Sequence, residues 1–297
     1  MLGTKKEQAD FCTEFNISGE KFRNSRLTWV ELDQIAEDFE RKRNEHQNTV
    51  KQYAEVLQKC LGVHSLSYRV KNTKHLIEKI IRKNPKYLEA GNALSLNNYE
   101  QEITDLMGIR ILLLFKEDWI EVHDYLMERY QNVLLEEPFA YVREGDDTHL
   151  YENKIKVKKE KPYRSVHYVI QSDKGLAIEI QVRTLYEEAW SEIDHKLRYP
   201  YNLTNEMLAA YINIMNRLTG MGDEMGTFIC SYIKNFQESL YAGVTDDNEV
   251  YQYILHEIEK CDNIEVKQAI VDKIKQADNY REMKKVSDLL KDILEYQ

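Results

Sequence analysis

The chemistry in this chain is concentrated in two carboxylates and the basic and aromatic groups around them. The stretch KPYRSVHYVIQSDKGLAIEIQVRTLYEEAWSEIDHKLRY, residues 161–199, reads as strand, tight turn, strand, helix. Side chains alternate along a strand, so Glu179, Gln181 and Arg183 share one face and Ile178, Ile180 and Val182 the other. The preceding strand repeats the device, with Ser165, His167 and Val169 on one side and Val166, Tyr168 and Ile170 behind. An apolar back with an acid, an amide and a guanidinium in front predicts the floor of a site. Asp105 stands just before a second strand, and with Glu179 it would suit a hard divalent ion that keeps several of its waters. Arg69 and Lys71 at a strand end, and Lys79 two turns into the next helix, are placed to hold phosphates. Tyr163 and His167 could stack on a base and touch a phosphate or hydroxyl. The sum is metal-assisted phosphoryl-type transfer, in which positioning and charge neutralisation supply most of the catalysis.

Several elements must carry these groups. Residues 1–27 are polar and poorly periodic, which predicts a loosely held lead-in. Thr28 with Glu31 forms a capping box for a covering helix with the stripe Val30, Ile35, Phe39, Val50, Tyr53, Val56 and Leu57. Tyr68 to Lys71 predicts a short strand. Asn72 or Thr73 then caps a helix that turns Leu76, Ile77, Ile80 and Ile81 inward and ends before Pro85. Gly108 permits a close turn into Ile109–Phe115, an apolar run suited to a strand covered on both faces. Arg110 interrupts that run and must be paired or face a pocket; an ion pair with Asp105 and a ligand-binding role are equally open. Residues 117–131 form an amphipathic helix on Trp119, Val122, Tyr125 and Leu126, with His123 on its surface, and 132–153 are loop or short edge strands.

From Lys154 to Arg164, six basic residues (Lys154, Lys156, Lys158, Lys159, Lys161 and Arg164) face one acid, Glu160. This is either an edge strand guarded by lysines or a surface for an anionic substrate. In the helix after Thr184, Ala189, Ile193 and Leu197 are expected on the core, with Glu188, Glu192, His195 and Tyr199 lining another face. A long helix over about 204–241 carries the stripe Met207, Leu208, Tyr211, Ile212, Met215 and Leu218, and the glycines of GMGDEMG, 220–226, are expected to break or bend it. Three more helices are expected beyond Thr245.

Composition bounds the alternatives. The 297 residues are 42% hydrophobic and 31% charged, enough for a buried core, and only 4 prolines and 11 glycines argue against long disordered linkers. A net charge of −10 disfavours whole-surface attraction to nucleic acid. Cys12, Cys60, Cys230 and Cys261 are isolated, with no zinc-type spacing, and read as reduced thiols. The first residues lack a signal peptide's apolar core, and the longest apolar run is far below the ~20 residues of a membrane helix. A cytoplasmic protein with no membrane partner is expected.

Five pieces in order, YRVKNTKHLIEK, DLMGIRI, YRSVHY, EIQVRT and WSEIDHKLRY, make roughly residues 67–200 similar to the RelA/SpoT-type alarmone synthetase domain. The resemblance implies an α+β fold: a mixed sheet wrapped by helices over 1–202, nucleotidyltransferase-like, followed by a helical extension over 203–297. It implies transfer of the β,γ-pyrophosphate of ATP to the 3′-hydroxyl of GTP or GDP, giving (p)ppGpp and AMP with Mg²⁺. Arg69 and Arg110 would sandwich adenine, and Lys71 and Lys79 would hold the ATP phosphates. Asp105 would bind the metal; Glu179 would bind it too or take the proton of the attacking hydroxyl. Tyr163 would stack on the acceptor base, with His167 and Gln181 positioning the acceptor. Arg164, Arg183, Glu188 and His195 complete the acceptor side, where Glu188 or Glu192 could accept the N1–H and N2–H₂ of guanine.

The chain departs from the family pattern at four places: His75 for a Ser, Pro162 for a Gly, Glu188 for an Asn and Asp194 for a Glu. Relatives that modify the tRNA 3′-end or make adenosine alarmones are the alternative with the same chemistry. A non-catalytic nucleotide sensor or interaction module is the alternative of another class. Residues 1–66 hold only His46 and His64 and no His-Asp pair, so alarmone hydrolysis is not expected. The helical tail is a candidate surface for a second copy or an antitoxin partner.

Overall fold

The computed structural model describes residues 3–143, 145–159, 163–198 and 204–242. The chain divides into two compact units, Met1–Thr227 and Phe228–Gln297. Of the second, residues 228–242 are described, and they are helical. The three helices expected beyond Thr245, and Lys161, Pro162 and Tyr199, lie outside the described residues.

The first unit is an α+β fold around one mixed sheet of six strands, with the order β1-β2-β6-β5-β3-β4. The strands are β1 Ser65–Val70, β2 Met107–Leu113, β3 Phe139–Val142, β4 Lys156–Lys159, β5 Ser165–Gln171 and β6 Ala177–Thr184. β2 runs parallel to β6 and β3 parallel to β4; the other neighbours are antiparallel. The register sets Arg69 opposite Gly108, Gly108 opposite Glu179, Arg110 opposite Gln181 and Gln181 opposite His167. These residues therefore share one face. The other face is apolar: Ile109, Ile111, Ile178, Ile180, Val182, Tyr168 and Ile170 are buried with Val50, Ala54 and Leu57 of α3 (Trp29–Leu57) and Trp119, Val122 and Leu126 of α6 (Trp119–Tyr130).

The first half of α3 supplies a second core. Leu32, Ile35 and Phe39 pack with Leu76, Ile77, Ile80 and Ile81 of α4 (Thr73–Glu89) and with Tyr99 of the short α5 (Tyr99–Glu102). The Thr28–Glu31 capping box forms as expected, and the Asn72 side chain caps α4 by accepting from the amides of Lys74 and His75. Residues 1–27 differ from the expected loose lead-in. They form α1 (Lys5–Glu14) and α2 (Gly19–Asn24), held by Phe11 and Leu27 in this second core. Helix α4 does not stop before Pro85. Buried Asn84 donates to the Ser25 carbonyl and accepts from the Leu94 amide, and the Tyr87 hydroxyl donates to the Glu102 carbonyl, so tertiary contacts carry the helix through its proline.

Strand β2 is buried on alternate residues rather than on both faces, because its other face is the floor of the site. Gly108 lies within the strand instead of forming a turn into it. His123 is buried rather than on the surface, its Nδ1 2.9 Å from the Tyr168 hydroxyl, where burial and Lys154 hold the imidazole below its ordinary range. β3, expected as loop or edge, pairs on both sides, while the lysine-rich β4 is the edge strand.

Two long helices complete the description, α7 (Leu185–Arg198) and α8 (Glu206–Ala242). Ala189, Ile193 and Leu197 of α7 are exposed rather than on the core; Glu187 and Trp190 take the buried face instead. Helix α8 continues through its glycines. A Cβ on Gly220 would stand 2.6 Å from Nη2 of Arg164, and one on Gly222 2.8 Å from the Tyr186 ring. Each glycine costs about 1 kcal/mol of helix propensity against alanine, and here a bare backbone is what lets the helix approach.

Candidate active site

Two carboxylates and their partners anchor the polar face. Oδ2 of Asp105 lies 2.8 Å from Nζ of Lys71, at the end of β1, and 2.8 Å from Nζ of Lys79, on α4. Burial would raise the Asp105 carboxyl, but the two ammonium groups hold it below the usual carboxylate range. Its Oδ1 is buried and without a hydrogen-bond partner. The Asp105–Arg110 pair weighed from the sequence does not form; Arg110 is bound elsewhere.

Glu179 sits at the centre of β6. Nδ1 of His167 lies 3.2 Å from its Oε1, and Nε2 of Gln181 donates to its Oε2 at 2.9 Å. A carboxylate only accepts, so Nδ1 of His167 carries the proton. Nε2 of His167 then faces the Tyr163 hydroxyl at 3.4 Å, and that hydroxyl accepts from Arg183. Arg183 also donates to Oε1 of Gln181 at 3.0 Å, closing a ring of five side chains. Burial pushes Glu179 upward, but the bonds from His167 and Gln181 outweigh it, and the carboxyl is held low.

The same network runs into α7. Nη1 of Arg183 donates to Oε2 of Glu188 at 3.1 Å and to the Ser191 hydroxyl at 2.9 Å. Arg110 donates to the other oxygen of Glu188 and, at 2.7 Å, to Glu192. Burial works against the Arg110 charge, but the two carboxylates raise its affinity for the proton. Beside this lies a cavity of about 70 Å³ lined by Ser67, Tyr68, Arg69, Gly108, Ile109, Arg110, Glu179 and Gln181.

The aromatic side of the groove was missed in the sequence. Phe139 stacks on His167 at 5.3 Å between ring centroids, and Tyr141 meets Tyr163 edge-on at 5.5 Å. The alternation of FAYV was the available signal, too short to stand out at four residues. Nζ of Lys158 lies over the Phe139 ring, while Lys154 pairs with Asp124 and Lys156 with Glu137. His195 is exposed on α7. Arg164 is not brought into the groove. It is buried, bonded through Nε to Asp146 at 2.7 Å and through Nη2 to Oδ1 of Asn216 on α8 at 3.0 Å. Among the described residues no group of three His, Cys, Asp or Glu gathers as a metal cage, and no helix is long and apolar enough to cross a membrane.

Residues 68–204 match the family model described as the region found in RelA / SpoT proteins. The match covers less than half of the chain. Every candidate site residue, from Arg69 to His195, falls inside it. Two curated relatives are GTP pyrophosphokinases of Bacillus subtilis (strain 168). YwaC is 27% identical over 157 residues, covering 48% of this chain and 64% of its own length. YjbM is 30% identical over 141 residues, covering 45% and 56%. The chain thus spans less than two thirds of either relative. The small alarmone synthetase 1 structure from Bacillus subtilis aligns at 22% identity and a TM-score of 0.49, over 67% of this chain and 98% of its own. Within the matched segment, Glu188 is the residue that joins Arg110 to Arg183.

Proposed function

We propose that this chain is an ATP-dependent pyrophosphokinase that moves the β,γ-pyrophosphate of ATP onto the 3′-hydroxyl of GTP or GDP. The observation that carries this reading is the pair of ionised carboxylates, Asp105 in the turn before β2 with two lysines and Glu179 on β6 with His167 and Gln181. The curated relatives of the matched segment, both named GTP pyrophosphokinases, support it.

In this reading Arg69 and Arg110 flank adenine beside the cavity. Lys71 and Lys79 exchange the Asp105 carboxylate for the phosphates of ATP. The acceptor base stacks on Tyr163, and the carboxylate of Glu188 or Glu192 suits the N1–H and N2–H₂ of guanine. The 3′-oxygen attacks the β-phosphorus, the bond from that phosphorus to the α–β bridging oxygen breaks, and AMP leaves with the oxygen. Glu179 is placed to receive the hydroxyl proton. The free, buried Oδ1 of Asp105 and the carboxylate of Glu179 fit a Mg²⁺ ion that takes most of its remaining ligands from water and phosphate. When bound, the ion would neutralise phosphate charge.

Incubation with γ-labelled ATP, Mg²⁺ and separate acceptors (GTP, GDP, ATP or tRNA) tests the reading. Label on GTP or GDP with matching AMP release is expected. Label on tRNA or ATP alone overturns the acceptor, and nucleotide binding without AMP release overturns the reaction.

A further inference from the structure

The lysine that joins β1 to α4 is held from behind by α3. Strand β1 ends at Val70 and α4 begins at Thr73, so Lys71 and Asn72 are the whole joint. Nη2 of Arg43, on α3, donates to the Lys71 carbonyl at 3.3 Å and to the Thr73 hydroxyl at 2.7 Å. That hydroxyl donates in turn to Oε1 of Glu40, and Glu40 accepts from Nε of Arg43 at 2.7 Å and from its Nη2 at 3.0 Å. Thr73 is 1% exposed, and the Arg43 guanidinium lies 5.3 Å from the centre of the ring of Phe39, a residue of the second core. On its other side the Lys71 amide donates to the Leu106 carbonyl at 2.8 Å, next to Asp105. The backbone of Lys71 is thus clasped at both its amide and its carbonyl.

Packing and capping are provided by other groups. The α3–α4 contact is made by the apolar residues of the second core, and the first turn of α4 is capped by Asn72. What the clasp adds is the direction in which Lys71 leaves the backbone. In the structure Nζ of Lys71 rests on Asp105, which tethers the side chain. On the proposed function Lys71 exchanges that carboxylate for the phosphates of ATP, and the tether is given up. A lysine carries its charge on a flexible four-carbon stem. The bonds on its backbone then set where the ammonium can reach. Misplacing a positioning group by about 1 Å can cost about a hundredfold in rate.

We propose that Arg43, with Glu40 and Thr73, is a positioning residue that aims Lys71 at the polyphosphate of the donor nucleotide, an inference that rests on the reading of Lys71 as a phosphate ligand. The affinity of the full chain for a non-hydrolysable ATP analogue with Mg²⁺, measured by calorimetry, tests it, with the unfolding midpoint as the check on folding. Arg43→Ala is expected to weaken binding at least about fivefold. Thr73→Val keeps the shape and removes the bridging hydroxyl, and should weaken binding in the same direction. Thr73→Ser returns the hydroxyl and should bind within about twofold of wild type. In a Lys71→Ala background, Arg43→Ala should cost less than about twofold more, because groups that act through one another are not additive. A merely structural role would add its full loss there. Wild-type affinity in both Arg43→Ala and Thr73→Val overturns the proposal and leaves the reading of Lys71 standing. So does a further loss of about fivefold when Arg43→Ala is added to Lys71→Ala. A Lys71→Ala chain that binds the analogue as wild type does overturns that reading, and the proposal with it.

Discussion

Glu179 is kept ionised where burial alone would favour its protonated form. The difference is made by His167 and Gln181, and it determines how activity should follow pH. A depressed carboxyl is charged throughout the neutral range and protonates only as pH falls through its lowered pKa. The wild-type acid limb arising from Glu179 is therefore expected below the ordinary carboxylate range. Replacing His167 with Ala removes a lowering partner and leaves the burial, so the limb should move to higher pH in a profile of AMP release. An unmoved limb would detach His167 from the carboxylate. Glu179→Gln keeps the shape and removes the charge. It should reduce AMP release by about 10²–10⁴-fold, the usual contribution of a positioned acid–base group, with little change in thermal stability. A low pKa also makes Glu179 a better cation ligand than a proton acceptor near neutrality, so the lower end of that range would favour the ligand role.

The β6–α7–α8 junction holds two carboxyl groups in which the effect of burial is not outweighed. Asp223 of α8 is pushed up to about 7 by burial and by its neighbour Glu187, itself raised by burial, while the Thr184 hydroxyl donates to its carboxyl. A carboxyl with a raised folded-state pKa holds its proton longer in the folded chain than in the unfolded one. Stability therefore falls as pH rises from about 4 to about 7, and the penalty is complete above that. Asp223→Asn can still accept from Thr184 and carries no charge. It should raise the unfolding midpoint at pH 8 by an amount that fades towards pH 4, measured by thermal or urea denaturation; an equal effect at both values would point to packing instead. Little of this junction was legible in the sequence. Strands β5 and β6 were readable because their period of two is strict, as was the cap on α4, because it is local. The inward face of α7 was misread because Ala189, Ile193 and Leu197 obey helical spacing without being buried. The outward face of α8 was misread for the same reason: periodicity identifies an apolar face and is silent on what covers it. The aromatic wall escaped because β3 is four residues long and acquires meaning only from its partners.

Across the whole chain, the question left by charge is whether the acceptor is a mononucleotide or a polyanion. The net charge is −10, and the one basic run, 154–164, is partly neutralised where it is described. Lys154 faces Asp124, Lys156 faces Glu137, Lys158 lies over an aromatic ring, and Arg164 is buried against Asp146. A protein that grips RNA through 6–10 phosphate contacts loses roughly 10³–10⁵ in affinity between about 50 and 200 mM salt, because each contact releases bound counterions. A site built around Lys71, Lys79 and a few arginines has far fewer such contacts to lose. Acceptor use by this chain, measured as kcat/KM for GTP at saturating ATP, should fall by less than about tenfold over that interval, the loss falling mainly on KM. The comparison with tRNA as acceptor makes the test decisive. A chain whose acceptor is a nucleotide should show that shallow dependence and little transfer to tRNA at any salt. Transfer to tRNA at low salt that collapses a thousandfold by about 200 mM would instead place the acceptor on the basic run.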